Sequence, residues 1–222
     1  MDLKTPYTMV ISGQTGSGKT HFVARLIKNQ ENLHDKPFDK IILAYTMIQP
    51  IYPDLKLQVK NLILVEGFPE NLIEQADGQN TLVVLDDMML ETESDKRLAA
   101  LFTKMRHKNI STIFLVQNLY FKSKYMTTVT RNAQYMTIFE NPRDGSMIKT
   151  LGRQVYPDKP KFLPDAFTQA MSKPYGYLFL DFKPGEDKRY RIREGILPDE
   201  QTYVYLPKSD KYEHDPRLKN VD

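Results

Sequence analysis

Residues Gly13 to Thr20 read GQTGSGKT and fit G-x-x-x-x-G-K-[ST] at every fixed position. The β-prone run Tyr7–Ser12 precedes them, and His21–Lys28 follows with Phe22, Leu26 and Ile27 at helical spacing. A glycine-rich turn from a strand into a helix is the setting in which this motif binds phosphate. Gly13, Gly16 and Gly18 let the backbone N–H groups of the loop, including those of Gln14, Thr15 and Ser17, curl around phosphate oxygens. The following helix adds its positive end. Lys19 is placed to reach the β- and γ-phosphates, and the Thr20 hydroxyl to ligate Mg²⁺. The predicted ligands are therefore ATP and Mg²⁺, and the predicted fold is an α/β layer structure.

The rest of the chain keeps that rhythm. Lys40–Thr46, Asn61–Glu66, Thr81–Asp86, Ser111–Gln117 and Tyr135–Glu140 are further strand candidates. IQPIYPD reads as a loop because proline removes ladder donors. Pro69–Gln75 fits a short helix. Lys96–His107 carries Leu98, Leu101, Phe102 and Met105 on one face, behind a capping box at Thr92–Asp95. Strands separated by helices predict a mostly parallel sheet. Two strand candidates fall between the phosphate loop and Thr81–Asp86, which suggests the additional-strand, RecA-like class of P-loop NTPases rather than simple kinases or GTPases. After Pro157 the texture turns proline-rich, with one clear apolar run at Tyr177–Phe182 and a polar end. The expected division is a core of residues 1–157 and an extension of residues 158–222 packed on it, ending in a frayed tail.

Leu82-Val83-Val84-Leu85-Asp86-Asp87 has the form of a Walker B motif, a buried strand ending in acid. Asp86 would hold Mg²⁺ through water, and Asp87 is placed to polarise the attacking water. Gln117, at the tip of the next strand, can hydrogen-bond both phosphate and water, as a γ-phosphate sensor does. An amide that merely ends a strand would look the same.

Composition excludes several alternatives. The chain has no cysteine, so disulfides, thiolate zinc sites and cysteine nucleophiles are excluded together. Its four histidines are scattered without ligand spacing, and no apolar run approaches the about 20 residues of a membrane helix. Asp2, Lys4 and Pro6 interrupt any signal-peptide pattern at the start. These features predict a soluble intracellular protein with no membrane partner. Lys96–Arg153 contains eleven Lys/Arg against Glu140 and Asp144, a local charge of +9 in a chain of net +3. Such asymmetry fits a polyanion partner, and a set of solvated basic faces would give the same count.

GQTGSGKT, LVVLDDM, RHKNISTIFLVQNLY, RNAQYMTIFENPRD and LGRQVYP together resemble the genome-packaging ATPases of the FtsK/HerA superfamily. The nearest likeness is to those of Polinton/Maverick elements, virophages and related large DNA viruses, including the poxvirus packaging ATPase. It spans roughly Tyr7 to Pro157. The resemblance implies an ATP-driven motor that threads double-stranded DNA into a preformed capsid as a homo-oligomeric ring, a pentamer or hexamer. It implies work in the host cytoplasm or nucleus where virions assemble, with a capsid or portal-vertex protein as a further partner. It also implies an arginine finger supplied by a neighbouring subunit. Arg131 is the first candidate and Arg106 the second, with Arg97 and Arg143 nearby. Asp87 departs from the glutamate common in the wider superfamily, which shortens the base by one methylene. The aromatic-basic stretch Asn118–Tyr125 would face the ring pore, where Lys122 and Lys124 could grip DNA phosphates without reading sequence. A surface turn with two solvated lysines is the plainer alternative.

Three other functions are compatible with parts of the pattern. Another DNA-transfer ATPase would carry the same motifs. A small-molecule kinase would use Arg131, Arg143 and Arg153 as a phosphate lid, but it does not need Asp86-Asp87 and Gln117 in this form. A scaffold that binds nucleotide without turnover would not need the two acids.

Overall fold

A computed structural model of the chain describes residues 3–76, 78–88, 96–119, 124–142 and 145–207. The Walker B run becomes strand β4 (Thr81–Asp86), buried at all six positions. Around it lie β1 (Thr8–Ser12), β2 (Lys40–Tyr45), β3 (Leu62–Glu66), β5 (Ile110–Val116) and β6 (Tyr135–Phe139), these six all parallel to one another. β7 (Tyr177–Asp181), β8 (Ile192–Glu194) and β9 (Tyr203–Val204) continue the same sheet antiparallel, giving the order β3-β2-β4-β5-β1-β6-β7-β8-β9. Parallel strands buried on both faces need apolar residues at successive positions, which is why these runs show no polar alternation.

Helices cover both faces. On one, α1 (Lys19–Lys28), α2 (Gln30–Leu33) and α3 (Ile51–Gln58) bury Phe22, Leu26, Leu33 and Tyr52 against Met9, Ile11, Leu82 and Val84. On the other face, α4 (Glu70–Glu74), α5 (Lys96–Thr103) and α6 (Lys124–Asn132) are joined by α7 (Gly145–Val155) and α8 (Phe162–Ala170). Leu98, Phe102, Val129, Ile148 and Leu163 from these helices pack on Val10, Val83 and Phe114. Adjacent strand residues thus serve opposite cores, each fully buried apolar side chain contributing roughly 1.5–3 kcal/mol.

Three details differ from expectation. The segment read as a loop at IQPIYPD contributes a full helical turn to α3, because Pro53 falls in the first turn, where its missing N–H costs no hydrogen bond. The helix expected over Lys96–His107 ends at Thr103, and Met105–Lys108 forms a 3₁₀ turn closed by Asn109 at φ 61°. The additional strand expected between the two Walker strands is present, but it is neither of those that separate them in sequence, β2 and β3. β5, which comes later in the chain, lies between β1 and β4. The capping box at Thr92–Asp95 and the polar tail lie outside the described residues.

The segment after Pro157 is held to the sheet by pairing and by charge. Arg193 Nη2 and Asp181 Oδ2 form an ion pair at 2.8 Å with both side chains almost fully buried. Arg25 of α1 pairs with Asp199 and Glu200, and the Tyr177 hydroxyl donates to the same Glu200. α1 is therefore tied directly to the chain that follows β8.

Candidate functional site

In a parallel sheet the loops after the strands gather at one rim, and here those after β1, β4, β5 and β6 carry the chemistry. The phosphate loop leaves β1 and is stitched to its neighbours: Gly13 N donates to Val116 O at 3.2 Å, and Gln14 N to Glu140 O at 3.4 Å. Gly13 admits no side chain, since a Cβ would lie 2.7 Å from both Phe139 Cβ and Ser17 Oγ. Gly18, at φ 105°, adopts a left-handed backbone that turns the chain into α1.

Lys19 Nζ lies inside the loop, donating to Gly13 O at 2.6 Å and Gln14 O at 2.9 Å. Burial pulls its ammonium below the usual lysine range, and the charges of Asp86 and Asp87 oppose that pull. The Thr20 hydroxyl lies beside the buried Asp86 carboxyl, whose affinity for its proton is raised by desolvation and by Asp87. Tyr52, Thr20 and Lys19 act in the opposite sense. Mg²⁺ takes one or two protein oxygens and completes its shell with phosphates and water. The Thr20 hydroxyl and Asp86 carboxylate are a donor set of that kind.

Asp87 is exposed and sits at φ 53°, a left-handed conformation that aspartate tolerates better than most residues. Its carbonyl accepts from Thr46 Oγ1 at 3.1 Å, and its Oδ1 from Gln117 Nε2 at 3.1 Å. Asn141 Nδ2 donates to Gln117 O at 3.2 Å, tying the ends of β5 and β6 together. Lys19, Thr20, Asp86, Asp87 and Gln117, spread over 99 positions of sequence, thus meet at one rim.

Among the described residues, Arg131, Arg106 and Arg97 do not join them. Arg131 is exposed near the end of α6, beside the start of β1, where Thr8 Oγ1 donates to Asn132 O at 2.6 Å. Five strand residues, about 16 Å, separate that point from the phosphate loop. Arg106 lies in the 3₁₀ turn before β5, on the same far rim. Arg97 is held by Glu70 at 2.7 Å and lies over the Phe68 ring. Arg143 and Lys122 lie outside the described residues, and Lys124 is described only by its backbone at the start of α6.

Sequence reasoning missed Tyr52 and Asn141. Tyr52, only 1% exposed, donates its hydroxyl to Asp86 Oδ2 from α3. The helical pattern that would reveal it is obscured by Pro50 and Pro53. Asn141 lies within ENPRD, where only the motif match drew attention. Tyr52→Phe is expected to lower the unfolding free energy by about 1–3 kcal/mol, because Asp86 loses a buried donor. Urea denaturation checks this, and an unchanged midpoint would mean that the hydroxyl adds nothing to the fold.

Residues 2–139 match the model of the poxvirus A32 protein family, more than half of the chain. The chain belongs to the poxvirus A32 protein family. It is a P-loop ATPase of that family. No curated protein matches it. Its fold is shared with the genome packaging NTPase B204 from Sulfolobus turreted icosahedral virus 2 in complex with ATP-gammaS. That match has 13% identity and a TM-score of 0.51, over 90% of this chain and 97% of the other. The cytoplasmic domain of EssC matches with 14% identity and a TM-score of 0.53, over 92% of this chain and 41% of EssC. At such identities the likeness is one of fold. Among the described residues, no helix of this family member is long and apolar enough to cross a membrane.

Proposed function

We propose that this chain is the motor that drives double-stranded DNA into a viral capsid, hydrolysing ATP as a homo-oligomeric ring. The observation that carries this reading is the division between the two rims. Lys19, Thr20, Asp86, Asp87 and Gln117 converge at one, while Arg131 and Arg106 stand at the other, a strand length away. An arginine so placed cannot reach its own γ-phosphate, but it can reach that of a neighbouring subunit. Family membership and the fold shared with B204, which is described as a genome packaging NTPase, support the same reading.

In this mechanism the loop N–H groups and Lys19 hold the β- and γ-phosphates. Asp87 accepts a proton from the water that attacks the γ-phosphorus, and the Gln117 carboxamide orients that water. Mg²⁺, when bound, neutralises charge on the β- and γ-phosphates, with Thr20 and Asp86 as its protein partners. The hydrogen bond from Gln117 to Asp87 links the base to the tip of β5, so loss of the γ-phosphate can be passed to the segment that follows Gln117. That segment contains Lys122 and Lys124, read here as the sequence-independent grip on DNA phosphates. Residues 1–157 carry the ATPase chemistry in this reading, and residues 158–222 form an extension of the core. A pentameric or hexameric ring at a capsid or portal vertex, in the host cytoplasm or nucleus, would be its working state.

ATPase rate measured against protein concentration, with and without long double-stranded DNA at fixed salt, tests the proposal. A cooperative rise with concentration and stimulation by DNA are expected. A rate per subunit indifferent to both, accompanied by a phosphorylated small acceptor, would replace the motor with a kinase. Arg131→Ala subunits should be inactive alone. They should regain turnover when mixed with Lys19→Ala subunits, which supply the arginine but no working site of their own. An assembled mixed ring without recovery would remove Arg131 as a finger acting in trans.

A further inference from the structure

The phosphate loop, taken as the nucleotide site above, leaves the position of the base to be found, and the sheet order supplies a direction. The γ-phosphate end of the site is marked by Asp86, Asp87 and Gln117, which end β4 and β5 on one side of β1. The loop cradles the remaining phosphates and leads into α1. A triphosphate running along it leaves the nucleoside on the other side of β1, toward β6 and β7.

Tyr175 stands there, in the turn between α8 and β7. It is 74% exposed and has φ 56°, one of three non-glycine residues among those described with a left-handed backbone. Such a conformation is costly for a bulky side chain and persists only where the surroundings impose it. They do so here. Gly176 N donates to Lys173 O at 3.0 Å, and a Cβ at Gly176 would collide with the Ala170 carbonyl. Lys173 pairs with Glu194 at 2.7 Å and lies over the Tyr203 ring. On the other side Tyr177 packs on Phe22 of α1, with ring centroids 4.8 Å apart. The turn is thus clamped at both ends, while its tyrosine is left in solvent beside Gly18. A Cβ built on Gly18 would lie 3.4 Å from Tyr175 Cδ1. A buried role does not account for an aromatic ring held this way at the exit of a phosphate loop.

We propose that Tyr175 is the platform on which the nucleobase of the bound nucleoside triphosphate stacks. The aromatic face is the recognition element, so phenylalanine should replace tyrosine without loss. Stacking of a base on an aromatic side chain accounts for roughly tenfold or more in affinity.

The test is equilibrium binding of two probes in the presence of Mg²⁺, ATP and inorganic tripolyphosphate, which has the phosphates but no base. Tyr175→Ala is expected to weaken ATP about tenfold and leave tripolyphosphate unchanged, with Tyr175→Phe close to wild type for both. Equal weakening of both probes would make Tyr175 a prop for the loop and overturn the proposal, as would unaltered ATP affinity in Tyr175→Ala. Wild-type protein that binds neither probe would instead overturn the phosphate-loop reading on which this inference rests.

Discussion

Asp87→Asn is expected to cut ATP turnover by about 10²–10⁴-fold while ATP remains bound. Asparagine has the same shape as aspartate but cannot take a proton from the attacking water. The substitution also leaves the backbone undisturbed, because asparagine tolerates the φ of 53° at this position as aspartate does. Its side-chain oxygen can still accept from Gln117 Nε2, the bond seen at 3.1 Å. The loss should therefore lie in kcat, with nucleotide affinity near wild type. Single-turnover hydrolysis beside a nucleotide-binding titration separates the two quantities, and normal turnover would disqualify Asp87 as the base.

Lys19→Ala is expected to lower turnover by on the order of 10²–10³-fold, the scale for removing one preorganised donor from developing charge. Here nucleotide affinity should fall as well, because the ammonium faces phosphates in the ground state too. The fold should survive. Among the described residues Lys19 bonds to the Gly13 and Gln14 carbonyls; water can serve exposed Gln14, and the buried Gly13 carbonyl loses one hydrogen bond, about 1–3 kcal/mol. Binding and hydrolysis assays alongside a melting curve check this. Retained activity in a folded variant would remove the loop from phosphate binding, and with it the shared basis of the site.

Much of this site was legible in the chain because its parts are local. The loop Gly13–Thr20 needs glycines where the backbone turns left-handed or meets Phe139, and those needs are written at fixed spacing. The same holds for β4, where six buried positions demand an apolar run and the carboxyl end demands acid. Tyr52 was not legible. Its contact with Asp86 depends on how α3 lies across the sheet, and its two nearby prolines favour the opposite reading of the segment. Tyr175 likewise sits in a turn without motif, and only the strand order sets it beside Gly18.

The sequence by itself determined the glycine-rich loop, the acid pair, the place of Gln117 at a strand end and the alternation of strand and helix. Each of these is dictated by backbone conformation or burial within a few residues. The tertiary structure decided which strand separates the two Walker strands, and that Gln117 bonds Asp87 across 30 positions. It also placed Arg131 and Arg106 at the opposite rim of the sheet from Lys19, Asp87 and Gln117. Those outcomes follow from the crossover connections of a parallel sheet. Such connections place residues by strand order rather than by sequence distance, and local propensity carries no record of that order.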